Sequence, residues 1–188
     1  IDIIEKDNEC YGIICRPNKE PNQLITITGD YTIWACGGIG GLFDNSTNFS
    51  HLTGDALAIS LEHGIKLQNP DYIQIHPTTL YSKTPGRRFL ISESVRGEGA
   101  LLLNNAGERF VDELLPRDVV ANAIKDMMEE ENKPCVWLSL APIDKEDIMH
   151  HFPNIYERCL EEGYDATKEP IPVVPAQHYF MGGVDVNR

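Results

Sequence analysis

The sequence is short of positive charge: 16 Lys and Arg stand against 29 Asp and Glu, a formal net charge of −13 over 188 residues. A chain of that sign repels nucleic acid and anionic membrane surfaces, so neither is expected as a partner. Long apolar runs are also missing. No stretch approaches the ~18 uninterrupted apolar residues of a membrane-spanning helix, and no basic-then-apolar opening reads as a signal peptide. The five cysteines, Cys10, Cys15, Cys36, Cys135 and Cys159, are odd in number and scattered, without CxxC spacing. That argues against a disulfide framework and a zinc site, and it fits a reducing cytoplasm. No HExxH, no Walker loop and no Ser–His–Asp order occurs, which leaves the usual hydrolase, zinc and nucleotide-hydrolysis readings without support.

What is present is an ordinary globular composition, 41% hydrophobic and 24% charged, of a length that suits one medium domain or two small ones. The chain opens on "IDIIEKDNECYGIIC" and closes on "MGGVDVNR". Neither reads as the start or end of a natural fold, so a fragment is expected. The acidic runs "DMMEEEN" and "LEEG" read as solvated helix faces.

Residues 1–38 read as strands. "IDIIE" and "YGIIC" flank a hairpin turn. "QLITITGDYTIWACGG" gives two further runs around Gly29-Asp30, with Leu24, Thr26 and Thr28 alternating against Ile25 and Ile27. A loop rich in Gly and Asn follows, then a short helix in "TGDALAISLEHG" that Thr53 can cap and Gly64 can end. It is apolar nearly all round and reads as buried. Past residue 87 helices dominate. A short hairpin turns at Asn104-Asn105. "PRDVVANAIKDMMEEEN" is a helix with Val120, Ala123, Ile124, Met127 and Met128 on one face and Pro116 just ahead of it. "DKEDIMHHF" and "NIYERCLEEG" are two more helices, Asp144 capping the first and Gly163 ending the second. The shift near residue 87 suggests a domain boundary.

Several stretches are candidates for chemistry, each with a plain structural alternative. "CGGIGG" follows a strand and lets backbone N–H groups approach a phosphate, yet its spacing is not GxGxxG and no helix follows at once, so a flexible turn is the simpler reading. Thr53, Gly54 and Asp55 either contact a cofactor or cap a helix. His76, Thr78 and Thr79 in "IQIHPTTLY" either end a strand or aim donors at an anion. In "SESVRGEGA", Glu93 and Arg96 are spaced to pair on a helix. Arg117 opens a helix, where the dipole disfavours a cation; either Asp118 compensates it or it reaches into an anion pocket. His178, ahead of a Gly pair, is a buried structural histidine or a ligand contact.

In order along the chain, "CGGIGG", "TGDALAI", "IQIHPTTLY", "FLISESVRGEGALLLNNAGERFVDE", "PRDVVANAI" and "PAQHYFMGGVDV" resemble the flavoprotein superfamily of succinate dehydrogenases, fumarate reductases and L-aspartate oxidases. "HPTTLY", the short path to "LPRD" and "PAQHYFMGGV" are most similar to the aspartate oxidase branch. The resemblance implies an α+β chain: a partial FAD-binding domain (strand meander plus short helix) over residues 1–87, a mixed capping domain over 88–179, and a return into the FAD-binding domain over 180–188. It also implies FAD as cofactor and a four-carbon dicarboxylate as ligand, either L-aspartate or fumarate and succinate. By the matching motifs, His76, Ser92, Glu93 and His178 bind substrate, and Arg117 acts as proton donor or acceptor. An arginine of pKa above ~12 takes that last role only when desolvated among cations. Gly37, Gly38, Thr53, Gly54 and Asp55 contact the cofactor, with Cys36 in place of the usual threonine. The implied reaction oxidises L-aspartate to iminoaspartate on the way to quinolinate and NAD; the grip on both carboxylates aligns a C–H bond for hydride transfer to the flavin. A fumarate reductase, a succinate dehydrogenase flavoprotein or a dicarboxylate-binding cap without catalysis are the alternatives. The 188-residue chain by itself is expected to turn over no aspartate and to retain FAD weakly or not at all; aspartate-dependent hydrogen peroxide release from it would contradict that.

Overall fold

The computed structural model describes residues 1–187. The architecture is α+β, and the chain divides into two compact units. The first takes residues 1–39, 51–72 and those from Phe180 on; the second takes Gly40–Ser50 and Ile73–Tyr179.

In the first unit, β1 (Asp2–Lys6) and β2 (Glu9–Cys15) pair antiparallel. They turn through Asp7 and Asn8, both at positive φ (55° and 61°), the left-handed pair that a tight two-residue hairpin requires. β3 (Ile25–Thr28) adds to the other side of β2, with Ile27 opposite Ile13. The second strand run expected after Gly29-Asp30 does not form, and every residue of β3 is exposed. A period of two sorts side chains by face, but a face is buried only if a second layer covers it. α1 (Asp55–Glu62) also departs from expectation. Its N-cap is Gly54, at φ 80°, and the Thr53 hydroxyl donates instead to the Asp55 carboxylate at 2.7 Å. Only Ala56 and Ser60 of the helix are buried, while Leu61 is 61% exposed. Gly64, at φ 70°, follows the helix as expected. The His63 imidazole lies 2.8 Å from the Asp2 carboxylate and links α1 to β1. β4 (Leu67–Gln68) pairs antiparallel with β10 (Gly183–Val184). Among the described residues of this unit the buried apolar side chains are Ile3 and Ala56.

The second unit holds the main core. Its strands are β5 (Ile73–Leu80), β6 (Phe89–Leu90), β7 (Leu101–Leu103), β8 (Val136–Ser139) and β9 (Ile171–Phe180), in the order β6-β5-β9-β8-β7. Because β5 belongs to this sheet, residues 73–87 join the second unit, and the units part at Tyr72/Ile73 rather than near residue 87. α2 (Glu93–Gly97) precedes β7. α3 (Arg117–Glu130) starts directly after Pro116, which takes the N-cap position, and packs on β5 and β8. Its buried residues are Val120, Ala121 and Ile124; Ala123, Met127 and Met128, expected on the same face, are half-buried. The turn at Asn104-Asn105 closes with the Glu108 carbonyl accepting the Asn104 N–H at 2.9 Å. α4 (Lys145–His151) and α5 (Pro153–Glu161) follow β8. Asp144 occupies the N-cap of α4, but its side chain makes no capping bond.

Leu102, Ile124, Val136, Leu138 and Ile171 form the centre of one continuous cluster. Full burial of such side chains contributes about 1.5–3 kcal/mol each. Leu138→Ala is expected to cost about 2–5 kcal/mol by urea unfolding, whereas Ile27→Ala on exposed β3 stays within about 0.5 kcal/mol. Equal losses at the two positions would contradict this division of the core.

Candidate functional site

β5 and β9 lie side by side in the middle of the five-stranded sheet. Each is a mostly buried strand that carries polar residues within an apolar run. His76 on β5 and His178 on β9 meet edge to face, ring centroids 5.4 Å apart. Pro77 lacks an N–H and interrupts the ladder of a central strand. Beside it, His76 Nδ1 lies 3.0 Å from the Thr78 carbonyl and 3.2 Å from the Thr78 N–H. One of these bonds forms in each neutral tautomer. When Nδ1 accepts the Thr78 N–H, Nε2 carries the proton and is the donor left for a ligand. Thr78 and Thr79 are spent on the fold: their hydroxyls donate to the carbonyls of Ile91 and Val174.

His178 is steered in the same way from a loop. The Thr47 hydroxyl is 2.8 Å from His178 Nδ1 and 3.4 Å from the Gln177 carbonyl. Asn48 donates both to Thr47 Oγ1 and to the His178 carbonyl. The shorter contact has Thr47 donating to Nδ1, which leaves the proton on Nε2.

Two guanidinium groups share this neighbourhood. Arg117 is the first residue of α3, and neither sequence alternative describes its partner. Glu93, not Asp118, compensates it: Arg117 Nε and Nη2 lie 2.6 and 2.5 Å from the Glu93 carboxylate, and Nη1 donates to Gln74 at 2.9 Å. The expected Glu93–Arg96 pair is therefore replaced by a contact across 24 positions. Arg96 is 2% exposed. Its Nη1 donates to the Glu113 main-chain carbonyl, while Nε and Nη2 are buried without a partner among the described residues. Ser92 caps α2, accepting the Ser94 N–H, and its hydroxyl is 2.6 Å from that of Ser94.

The electrostatics follow from these placements. Burial, then the charges of His178, Arg117 and Arg96, pull the His76 pKa from 6.5 to about 4. Burial, then Arg117, lowers that of His178. The Arg117 hydrogen bond holds the Glu93 carboxyl below its usual range, and its charge, with those of Arg96 and His76, adds to the effect. Arg96 is lowered by burial and by Arg117, against the opposing charges of Glu93 and Glu113. Two arginines with two neutral imidazoles and spare N–H donors are a receptor for an anion. Of the substrate-binding candidates, His76, Glu93 and His178 meet in this cluster with Arg117, the candidate for proton exchange, and Ser92 is next in the chain to Glu93. Sequence reasoning missed Thr47, Gln74 and Arg96. Thr47 lies in "STNFSHLTGD", a stretch read as a cofactor contact or a helix cap rather than as a histidine partner, and Arg96 was read as Glu93's partner.

The cofactor candidates lie in the other unit. Gly37 and Gly38 line a cleft of about 410 Å³ with Trp34, Cys36, Ala56 and Phe180. Gly37 sits at φ 76°, and a Cβ there would meet the Leu52 side chain at 2.6 Å, so a larger residue would be strained and would push Leu52 aside. The Gly54 N–H donates to the Gly38 carbonyl at 3.1 Å, which ties the glycine loop to α1. Thr53 and Asp55 bond each other; Ala56 and Leu57 take the lining positions expected of that loop. A bare backbone wall flanked by Trp34 and Phe180 fits a flat, fused ring system. Among the described residues no helix is long and apolar enough to cross a membrane.

The FAD binding domain family matches residues 1–188. The chain is 52% identical over 187 residues to the L-aspartate oxidase of Clostridium acetobutylicum, covering 99% of this chain and 42% of that protein. It is 50% identical over 188 residues to the L-aspartate oxidase of Clostridium perfringens, covering 100% of this chain and again 42% of the relative. It thus spans about two-fifths of the length of these curated relatives. Among solved structures, a quinol-fumarate reductase with menaquinol molecules superposes with a TM-score of 0.85 at 31% identity, over 99% of this chain and 36% of that one. Mycobacterium smegmatis Sdh1 in complex with UQ1 gives 0.80 at 33%, over 99% and 32%.

A pH dependence follows from His76. The unfolded imidazole takes up its proton near pH 6.5, the folded one only near 4. The unfolded chain binds more protons between those values, so the stability gained from a neutral His76 is complete above 6.5 and lost as pH falls toward 4. At ~1.4 kcal/mol per pKa unit the loss is on the order of 2–3 kcal/mol. Urea unfolding across that window should show this excess loss in the wild type and not in His76→Asn; parallel curves would contradict it.

Proposed function

Because this chain belongs to the FAD binding domain family, we propose that the protein it represents is an FAD-dependent L-aspartate oxidase, producing iminoaspartate in the cytoplasm for NAD biosynthesis. The observation that carries the reading is the convergence of His76, His178, Arg117 and the half-partnered Arg96 around one spot in the second unit. Identities of 52% and 50% to two L-aspartate oxidases support the choice of substrate.

The chain's own residues do the binding and the orientation. The Nε2–H of His178, its tautomer set by Thr47, donates to a substrate carboxylate, and His76 does the same in the tautomer whose Nδ1 accepts the Thr78 N–H. Ser92, at the start of α2, supplies a hydroxyl beside them. Arg117 keeps one hydrogen free on each terminal nitrogen after bonding Glu93 and Gln74. It is the proposed carboxylate partner, and Glu93 acts by fixing it; the proton-exchange role that the resemblance implies would require the guanidinium to shed solvent and a proton first, because its side chain is 37% exposed in this state. Burial strengthens the bonds of His76 and Arg96, each 2% exposed, whereas the Arg117–Glu93 pair stays partly in water. Oxidation breaks the Cα–H bond with its electron pair and one N–H bond, leaving a C=N bond. FAD would be held by the cleft at Gly37 and Gly38 and would supply the acceptor for the hydride, while the N–H proton would pass to solvent.

Fumarate reduction or succinate oxidation is the second reading, favoured by the superpositions on a quinol-fumarate reductase and on Sdh1. The full-length, flavin-loaded protein mixed anaerobically with L-aspartate should lose its visible flavin absorbance, and Arg117→Lys should slow that loss by about 10²-fold. Bleaching by succinate alone would transfer the protein to the second reading. Bleaching by neither would overturn both.

A further inference from the structure

We infer that Glu113 is the positioning residue of the anion site: its buried carboxylate anchors the segment that orients both Arg96 and Arg117. The inference rests on the dicarboxylate reading of that site. Glu113 is 3% exposed and lies 17 residues from Arg96. Its carboxylate accepts the Leu102 N–H of β7 at 2.7 Å and, from Arg109, Nε at 3.1–3.2 Å and Nη2 at 2.7 Å. Arg109 is itself bridged to Leu103 of the same strand. The glutamate is therefore fastened to the edge of the five-stranded sheet by three donor groups.

What it fastens faces the other way. The Glu113 main-chain carbonyl accepts Arg96 Nη1, the only hydrogen bond that the Arg96 guanidinium makes among the described residues. Three residues on, Pro116 ends the segment and accepts the Val120 N–H that opens α3, so Arg117 is set by the same stretch of backbone. A shift of Glu113 moves the carbonyl that aims Arg96 and the helix start that presents Arg117. The carboxylate is needed because all three of its partners are donors. A glutamine has the same size, but its amide NH₂ would face the Arg109 guanidinium or the Leu102 N–H, donor against donor. The half-exposed Arg109 also neutralises the buried charge, which avoids the cost of an unpaired ion. No part of Glu113 need touch substrate.

The test is calorimetric titration of succinate, which carries both carboxylates and lacks the amine, into the full-length flavin-loaded protein. Glu113→Gln should weaken binding about tenfold or more. In an Arg96→Lys background the same change should cost clearly less, because the share of its effect that passes through Arg96 is already gone and only the share through Arg117 remains. A general loss of structure would give equal factors in both backgrounds. If Glu113→Gln does not fold, Arg109→Met, altered from the solvent side, replaces it with the same expected pattern. Equal affinity of wild type and variant, or equal penalties in both backgrounds, overturns the inference alone. Failure of the wild type to bind succinate overturns the reading of the site and the inference with it.

Discussion

The adjacency of β5 and β9 at the centre of one sheet is the constraint on which the rest depends. It sets His76 against His178, and a central position means that both rings are walled by strands on either side. α3 packs on β5 and so brings its first residue, Arg117, to the same end. Were β9 to pair elsewhere, the two imidazoles would separate and the arginines would have nothing to share.

That arrangement is costly to fold. A buried Arg96 and a partly exposed Arg117 gather positive charge beside the two histidines, which respond by staying neutral. The arginines do not have that option. Arg117 is offset by Glu93, and Arg96 by the nearby charge of Glu113 and a single carbonyl. Two nitrogens of Arg96 have no partner among the described residues. Buried donors left unsatisfied cost about 1–3 kcal/mol each, and such a cost persists where a ligand completes the bonds. The site is therefore strained without an anion and relieved with one.

Much of this was legible in the sequence. Asp7-Asn8 marked a hairpin, and the 3.6-residue pattern marked α3. His76, His178, Glu93 and Arg117 stood out because each is an ionisable residue where a plain strand or cap would not need one. Partner identities were not legible. Spacing pairs Glu93 with Arg96, three residues away, but α2 is only five residues long, and the fold delivers Arg117 from 24 positions on. Thr47 reaches His178 across 131 positions. Local pattern also misjudged burial: Ile25, Ile27 and Leu61 carry the periodicity of covered faces and are exposed, since coverage is decided by the neighbouring layer rather than by the element itself.

On the proposed reading, His76 and His178 sit in an anion receptor that holds them neutral when empty. The most direct measurement is the titration of the two imidazoles by nuclear magnetic resonance, with and without saturating succinate. An anion between them offsets the cationic field of Arg96 and Arg117 and favours the charged imidazole. The account predicts that both pKa values, depressed without ligand, rise when succinate binds. Titration curves that bound succinate leaves unmoved would contradict it.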